Sequence, residues 1–342
     1  MRRIAAGLIV IMSVLLVSCK GKTGNTITVG SDKLDNTQSY FSESMHKAAR
    51  CDSGYYYLDK CGASADNLMF YDDKSEESIV LCNKPQCGHD GEECMAYISG
   101  SEFKSELYYY NSYIYMISSK GNLVRISADG TQRTDLGSIC VLSGQDSVSM
   151  CFNDGYAYVS QEITGDIEGN VTVRLHRFNL DTGLSDKIYE ETGYGIGINS
   201  LKTYGSDTFF LKTSVSKDDK GLYSLEGKGI FRITGENTEC LLDKNVYSYC
   251  IDADNNKLYY SGLGDGTIYE YDLGSGKSES IYKSDNDTGY FYITFDGNYI
   301  WMDDEGYKSM AMYFNKQSSS LDYTIYQLGL DGKLIAKRTI PD

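Results

Sequence analysis

The chain has 342 residues, with 32 Lys and Arg against 48 Asp and Glu, a formal charge of −16 at pH 7. So acidic a surface repels phosphate backbones and anionic headgroups, which excludes nucleic acid as an expected partner. The 31 tyrosines and 35 glycines favour strands and turns, and the 2 prolines (Pro85 and Pro341) leave no Pro-rich hinge to divide the chain.

Residues 1–19 read MRRIAAGLIVIMSVLLVSC. Two arginines, an apolar run from Ala5 to Val17 and a small residue before Cys19 have the order of a secretion signal. As a helix the run reaches roughly 20 Å, short of the roughly 30 Å hydrocarbon layer, so a retained spanning helix is not expected. Leu16-Val17-Ser18-Cys19 resembles the lipobox of bacterial lipoproteins. That resemblance implies that residues 1–18 are a signal peptide and that Cys19 takes a diacylglycerol as the mature N-terminus. Two acyl chains hold a protein on a membrane where one does not. Residues 19–38, rich in Gly, Ser, Thr, Asn and Asp, read as a flexible tether. The expected location is extracytoplasmic, on the outer face of the cell membrane. Loss of residues 1–18 removes Arg2 and Arg3 and no acid, so the mature chain is more acidic still.

From residue 39 to 342 a repeat is visible. Early hairpins join an apolar strand to an aromatic one: Cys51 to Leu58, Cys151 to Tyr158, Cys250 to Tyr260 and Phe295 to Trp301. Late strands end on polar turns closed by Gly130, Gly183, Gly235, Gly276 and Gly332, spaced 53, 52, 41 and 56 residues apart. Asn-Asp-Gly and similar turns supply the positive φ that tight hairpins need. Four strands in a unit of about 40–55 residues match a propeller blade, whereas an immunoglobulin-like module needs about 100. The chain is therefore expected to be all-β, a single propeller of six four-stranded blades at roughly 45–100, 101–138, 139–190, 191–244, 245–286 and 287–342. Blade one is the least regular, with a strand from residues 39–50 completing it. The segment Lys333–Ile340 is expected to pair with the first blade and close the ring. Tyrosines on these strands are expected to fill the faces between blades, their hydroxyls reaching water or backbone.

Residues 82–94 stand out. Cys82, Cys87, His89 and Cys94 lie within 13 residues, spaced Cys-x4-Cys-x-His-x4-Cys, with Pro85 and Gly88 bending the loop. Three thiolates and an imidazole make a full tetrahedral zinc set with no open position for catalysis. The single residue between Cys87 and His89 is tighter than usual zinc spacing. Three readings stay open: a structural zinc loop, a disulfide between two of the thiols, and reduced thiols packed at a blade junction. Outside the cytosol oxidation is allowed, yet with Cys19 lipidated the remaining cysteines are odd in number. Cys51, Cys151 and Cys250 share one register and read as small buried residues. Cys61, Cys140 and Cys240 lie 10 or 11 residues from them, so a pair such as Cys51–Cys61 is conceivable on spacing.

The Cys82–Tyr97 segment, the lipobox and the Tyr-rich blades together resemble a set of uncharacterised lipoproteins from Gram-positive anaerobes. Those proteins look like six-bladed Tol-B-like propellers with a similar Cys/His element after the first blade. The resemblance covers nearly the whole mature chain. It implies an architecture and a surface location, and brings no activity.

The remaining motifs exclude more than they assign. No Gly-x-Ser-x-Gly elbow occurs. Gly274-Ser275-Gly276-Lys277-Ser278 has Tyr271 where a phosphate loop needs glycine, and Gly193-Tyr194-Gly195-Ile196-Gly197 fails the dinucleotide spacing. Asp252-Ala253-Asp254-Asn255-Asn256 lacks the glycine and distal glutamate of a calcium hand. Of the three histidines, His176 sits on a strand, His46 near the tether and His89 in the Cys/His loop. No catalytic residue is assigned, and the chain is expected to lack enzymatic activity. The expected function is that of a monomeric binding propeller, gripping a glycan, peptide or protein with its loops or channel. The alternative is a carbohydrate-active enzyme using carboxylates across the channel.

Overall fold

A computed structural model describes residues 48–342 except 101, 104–106, 166–168, 205–206, 218, 222, 236, 285–288, 290, 305–322 and 341–342. The signal, Cys19, the tether and His46 lie outside the described residues.

Among the described residues twenty-five strands follow one another, and each sheet is a meander of consecutive strands, except that β5 returns to pair with β3 in the first. Blade one holds β1 (Ala48–Cys51), β2 (Gly54–Gly62), β3 (Ala65–Asp72), β4 (Glu77–Val80) and β5 (Tyr97–Ser99). Blade two holds β6 (Tyr108–Tyr110), β7 (Tyr113–Ile117), β8 (Asn122–Ser127) and β9 (Arg133–Ser138). Blade three holds β10 (Ser147–Asn153), β11 (Tyr156–Thr164), β12 (Asn170–Asn179) and β13 (Ser185–Tyr194). Blade four holds β14 (Gly197–Tyr204), β15 (Asp207–Lys217), β16 (Tyr223–Thr234) and β17 (Asn237–Leu242). Blade five holds β18 (Val246–Asp252), β19 (Lys257–Gly262), β20 (Thr267–Asp272) and β21 (Ser278–Lys283). Blade six holds β22 (Tyr292–Phe295), β23 (Ile300–Asp303), β24 (Tyr323–Leu328) and β25 (Leu334–Ile340). Six antiparallel sheets stacked in chain order make a six-bladed β-propeller. The expected third boundary is early, because β13 runs to Tyr194.

The turns are those the repeat demands. Asn153 pairs with Tyr156 across Asp154 and Gly155, whose φ of +47° and +77° form a tight two-residue hairpin. In blade two Asn111 and Ser112 do the same without glycine, at φ +47° and +65°. The five repeat glycines all close third-to-fourth-strand hairpins at φ between +61° and +77°.

Five apolar clusters join successive blades, each drawing buried residues from two sheets. Leu68 and Ile114 meet between blades one and two. Phe152 and Tyr115 meet between two and three, their ring centroids 4.6 Å apart. Tyrosine hydroxyls tie the same seams. Tyr56 donates to the Ala128 carbonyl (3.2 Å), Tyr249 to the Ser200 carbonyl (2.6 Å) and Tyr271 to the Leu241 carbonyl (3.0 Å). The Tyr108 and Tyr110 hydroxyls accept from the Met150 and Gly155 amides. The tyrosines thus pack between blades while their polar ends satisfy backbone groups. Cys51, Cys151 and Cys250 are buried in three of these clusters.

The expected closure of the ring is corrected. Leu334–Ile340 pairs with β24 inside blade six, and β1 pairs with β2 inside blade one. Each blade is complete from its own consecutive strands, so its edge pairing needs no strand from across the ring. Among the described residues no strand is exchanged between blades.

Candidate functional site: a Cys/His centre and a raised rim

The Cys/His loop leaves blade one at its outer edge. On β3, Met69 pairs with Val80 of β4 and Asn67 pairs with Tyr97 of β5. Between them Leu68 accepts from the Leu81 amide (2.9 Å) and donates to the Ala96 carbonyl (2.8 Å). In an uninterrupted antiparallel ladder one residue would make both bonds. Residues 81–96 therefore occupy the place of a single residue, and β4 and β5 are two halves of one fourth strand.

Inside this insertion Gln86 and His89 take φ of +59° and +55°. These left-handed residues fold the short Cys87-Gly88-His89 stretch back on itself, which resolves its tight spacing. The ligand atoms of Cys82, Cys87, His89 and Cys94 all lie within 4.8 Å of one another. The His89 Nδ1 sits 3.3 Å from the Cys94 Sγ. Sulfurs about 2.3 Å from a tetrahedral ion stand roughly 3.8 Å apart, so the four side chains are gathered to a scale that fits a metal ion. Cys94 is 2% exposed, while the other three ligands are half-buried. Burial pushes the Cys94 thiol up to about 11. Burial opposes ionisation of Cys82 too, yet the Lys84 amide, the Cys94 thiol, the Met95 amide and the Cys87 thiol bond it and hold it below the ordinary thiol value. The Lys84 ammonium donates to the Glu93 carbonyl across the loop. All nine described cysteines are free thiols.

The second feature is a rim. Strands β7–β8 and β19–β20 share 5 paired positions each, whereas β11–β12 share 9 and β15–β16 share 11. The extra pairs lie at the end where second strands turn into third strands, so both hairpins rise on one face. At about 3.3 Å per residue they extend it by roughly 13–20 Å. Tyr194 and Leu225 are exposed on this rim, at 39% and 43%. At its foot, between the innermost strands of blades three and four, Glu162 accepts from the Ile198 amide (3.1 Å) and the Ser147 hydroxyl (3.3 Å). Burial raises the pKa of this carboxyl. Glu162 carries no signal in the sequence, where it is one carboxylate among 48 and its neighbours are hidden.

His176 is structural. Gln161 donates through Nε2 to Asp146 (2.8 Å) and the Val141 carbonyl (2.8 Å), leaving its Oε1 to accept from His176 Nε2 at 3.2 Å. Burial and then the Arg174 charge push the imidazole pKa down. The suggested pair Cys51–Cys61 is not formed: Cys51 is buried in the blade and Cys61 is exposed.

No family model matches the chain, and no curated protein matches it. Solved structures do share its shape. They include an oligogalacturonate lyase in complex with manganese, at TM-score 0.49 and 11% identity, over 79% of this chain and 69% of that one. The computationally designed Ika8 protein is similar at TM-score 0.47 and 12% identity, over 89% and 88%. A luciferin-regenerating enzyme is similar at TM-score 0.40 and 12% identity, over 68% and 73%. The expectation of a chain without enzymatic activity is corrected by this set. A lyase and a luciferin-regenerating enzyme stand among the similar shapes, so the architecture does not exclude catalysis. Likeness at such identity assigns no reaction to this chain.

Proposed function

We infer that the chain is a lipid-anchored extracytoplasmic propeller that binds a glycan, peptide or protein partner through the raised rim of blades three and four. Cys19 carries the anchor and places the domain on the outer face of the cell membrane. The observation that supports binding at this face is the hairpin length of β11–β12 and β15–β16, with 9 and 11 paired positions against 5 in blades two and five and 8 in blade one. Packing within the ring does not require that length, and loops set on a rigid scaffold are where propellers place recognition. The domain acts as a monomer, and its acidity keeps nucleic acid from among its partners. The Cys/His loop holds one structural zinc through the sulfurs of Cys82, Cys87 and Cys94 and the Nδ1 of His89. When bound, the ion supplies a crosslink and no reactive position.

The test is binding of the purified protein to glycan and peptide arrays, repeated with both hairpins shortened to the length found in blades two and five. Signals on either array that vanish with the shortened hairpins support the reading. Blank arrays, or signals unchanged by the shortening, overturn it.

A further inference from the structure

We propose that the metal centre is the fastener of a split strand: it holds β5 in register with β3, so that blade one keeps a complete outer edge despite the inserted loop. This deepens, and rests on, the zinc reading of the Cys/His loop.

The break in the fourth strand is costly by itself. β4 offers β3 four paired positions and β5 only three, and neither half is long enough to stand alone. In the other five blades the fourth strand is one uninterrupted segment of 6 to 10 residues. Blade one must therefore be joined across the gap by something other than chain continuity.

The ligands stand where such a joint is needed. Cys82 follows Leu81, the residue that leaves the ladder, and Cys94 precedes Ala96, the residue that rejoins it. An ion bridging those two sulfurs ties the exit to the return at the neck of the loop. Cys87 and His89, from the far side of the loop, complete the set. The returning strand also carries the seam with blade two. Cys94, Ala96 and Ile98 are buried in the same cluster as Leu107, Ile114 and Ile126. Arg133 of β9 donates to the Tyr97 carbonyl at 3.1 Å. Loosening the neck therefore frees β5 and weakens its hold on blade two, while blades three to six keep their own cores.

The experiment is hydrogen exchange on the purified full chain under reducing conditions, before and after a zinc chelator, with metal content measured on the same samples. The expected result is about one zinc per chain, and after chelation exchange faster by roughly tenfold or more at the Leu68 amide and across 94–99, with β10–β25 unchanged. A companion variant deletes residues 82–96 and joins Leu81 to Tyr97, so that Leu81 makes both bonds to Leu68. It is expected to fold, to contain no zinc and to keep Leu68 protected with or without chelator. Zinc present with no change in exchange at Leu68 and 94–99 overturns the fastener and leaves the zinc reading standing. Absence of zinc, or a Cys82–Cys94 disulfide found in the purified protein before reductant is added, overturns the zinc reading itself. Unfolding of all six blades on chelation overturns the local role.

Discussion

Gly332 offers a measurement of how tightly one blade docks on the next. Its φ is +77°, and a Cβ built there would lie 1.8 Å from the Ile281 carbonyl oxygen, on the outer strand of blade five. Gly235 occupies the equivalent hairpin in blade four at φ +61°, and a Cβ there meets nothing within 4 Å. Gly→Ala at either site forces alanine into the left-handed region, at a cost of about 1–2 kcal/mol. Gly332→Ala must also displace a backbone carbonyl by more than an ångström, an overpacking cost of about 1–3 kcal/mol. The difference between the two variants is thus expected to be about 1–3 kcal/mol. For a chain of this size that is roughly 2–6 °C in melting temperature. Urea unfolding and calorimetry of both variants beside the parent read it directly. Equal losses for Gly332→Ala and Gly235→Ala would refute the close docking of blade six on blade five.

Other outcomes follow from single contacts. Tyr249→Phe removes the 2.6 Å bond to the Ser200 carbonyl between blades four and five, and is expected to cost about 1 kcal/mol in urea unfolding; an unchanged midpoint would count against that bond. Burial raises the Glu162 pKa above its ordinary 4.5, so the folded chain keeps a proton that the unfolded chain releases. That carboxyl supports folding below pH 4.5, and its contribution is lost as pH rises through the folded value. Glu162→Gln is therefore expected to raise the midpoint at pH 7 relative to the parent and to flatten the stability profile above pH 4.5; an unchanged profile would contradict the burial of this group. Brief alkylation of the native protein is expected to label the exposed Cys61 and to spare Cys51, Cys140, Cys151 and Cys250, which are buried. Mass spectrometry of the labelled peptides decides it, and early labelling of Cys151 would count against the packed cluster of blades three and four.

Much of the ring was legible because its signals are local. A positive-φ turn favours glycine or asparagine, so Gly130, Gly183, Gly235, Gly276 and Gly332 mark hairpins whatever the tertiary context, while the equivalent turn of blade one, with Glu76 at φ +58°, carries no such mark. Cys151 and Cys250 likewise report a repeated buried position, each two residues before the end of its strand, whereas Cys51, also buried, is offset to the last pair before its turn. The Cys/His set was legible as a set, because four ligands within 13 residues need little folding to meet. Its place in the blade was not. Val80 and Tyr97 pair with Met69 and Asn67, only two residues apart on β3, although the whole loop separates them in the chain, and no period announces such a jump. Closure of the ring was misread for a related reason. Lys333–Ile340 has the pattern of a strand, but pattern does not name a partner, and β24 is nearer along the chain than β1. The raised rim was hidden too. β15 and β16 run on past the blade through a single register shift at Lys212/Thr213, and no turn separates the blade from what stands above it.

Where the domain is displayed is tested most directly by its mature N-terminus. Mass spectrometry of protein recovered from the membrane fraction of a bacterial host is expected to find Cys19 as the first residue, bearing a diacylglycerol, with Cys19→Ala released from the membrane. An unmodified Cys19 in a chain that still begins at Met1, recovered from the cytosol, would contradict it.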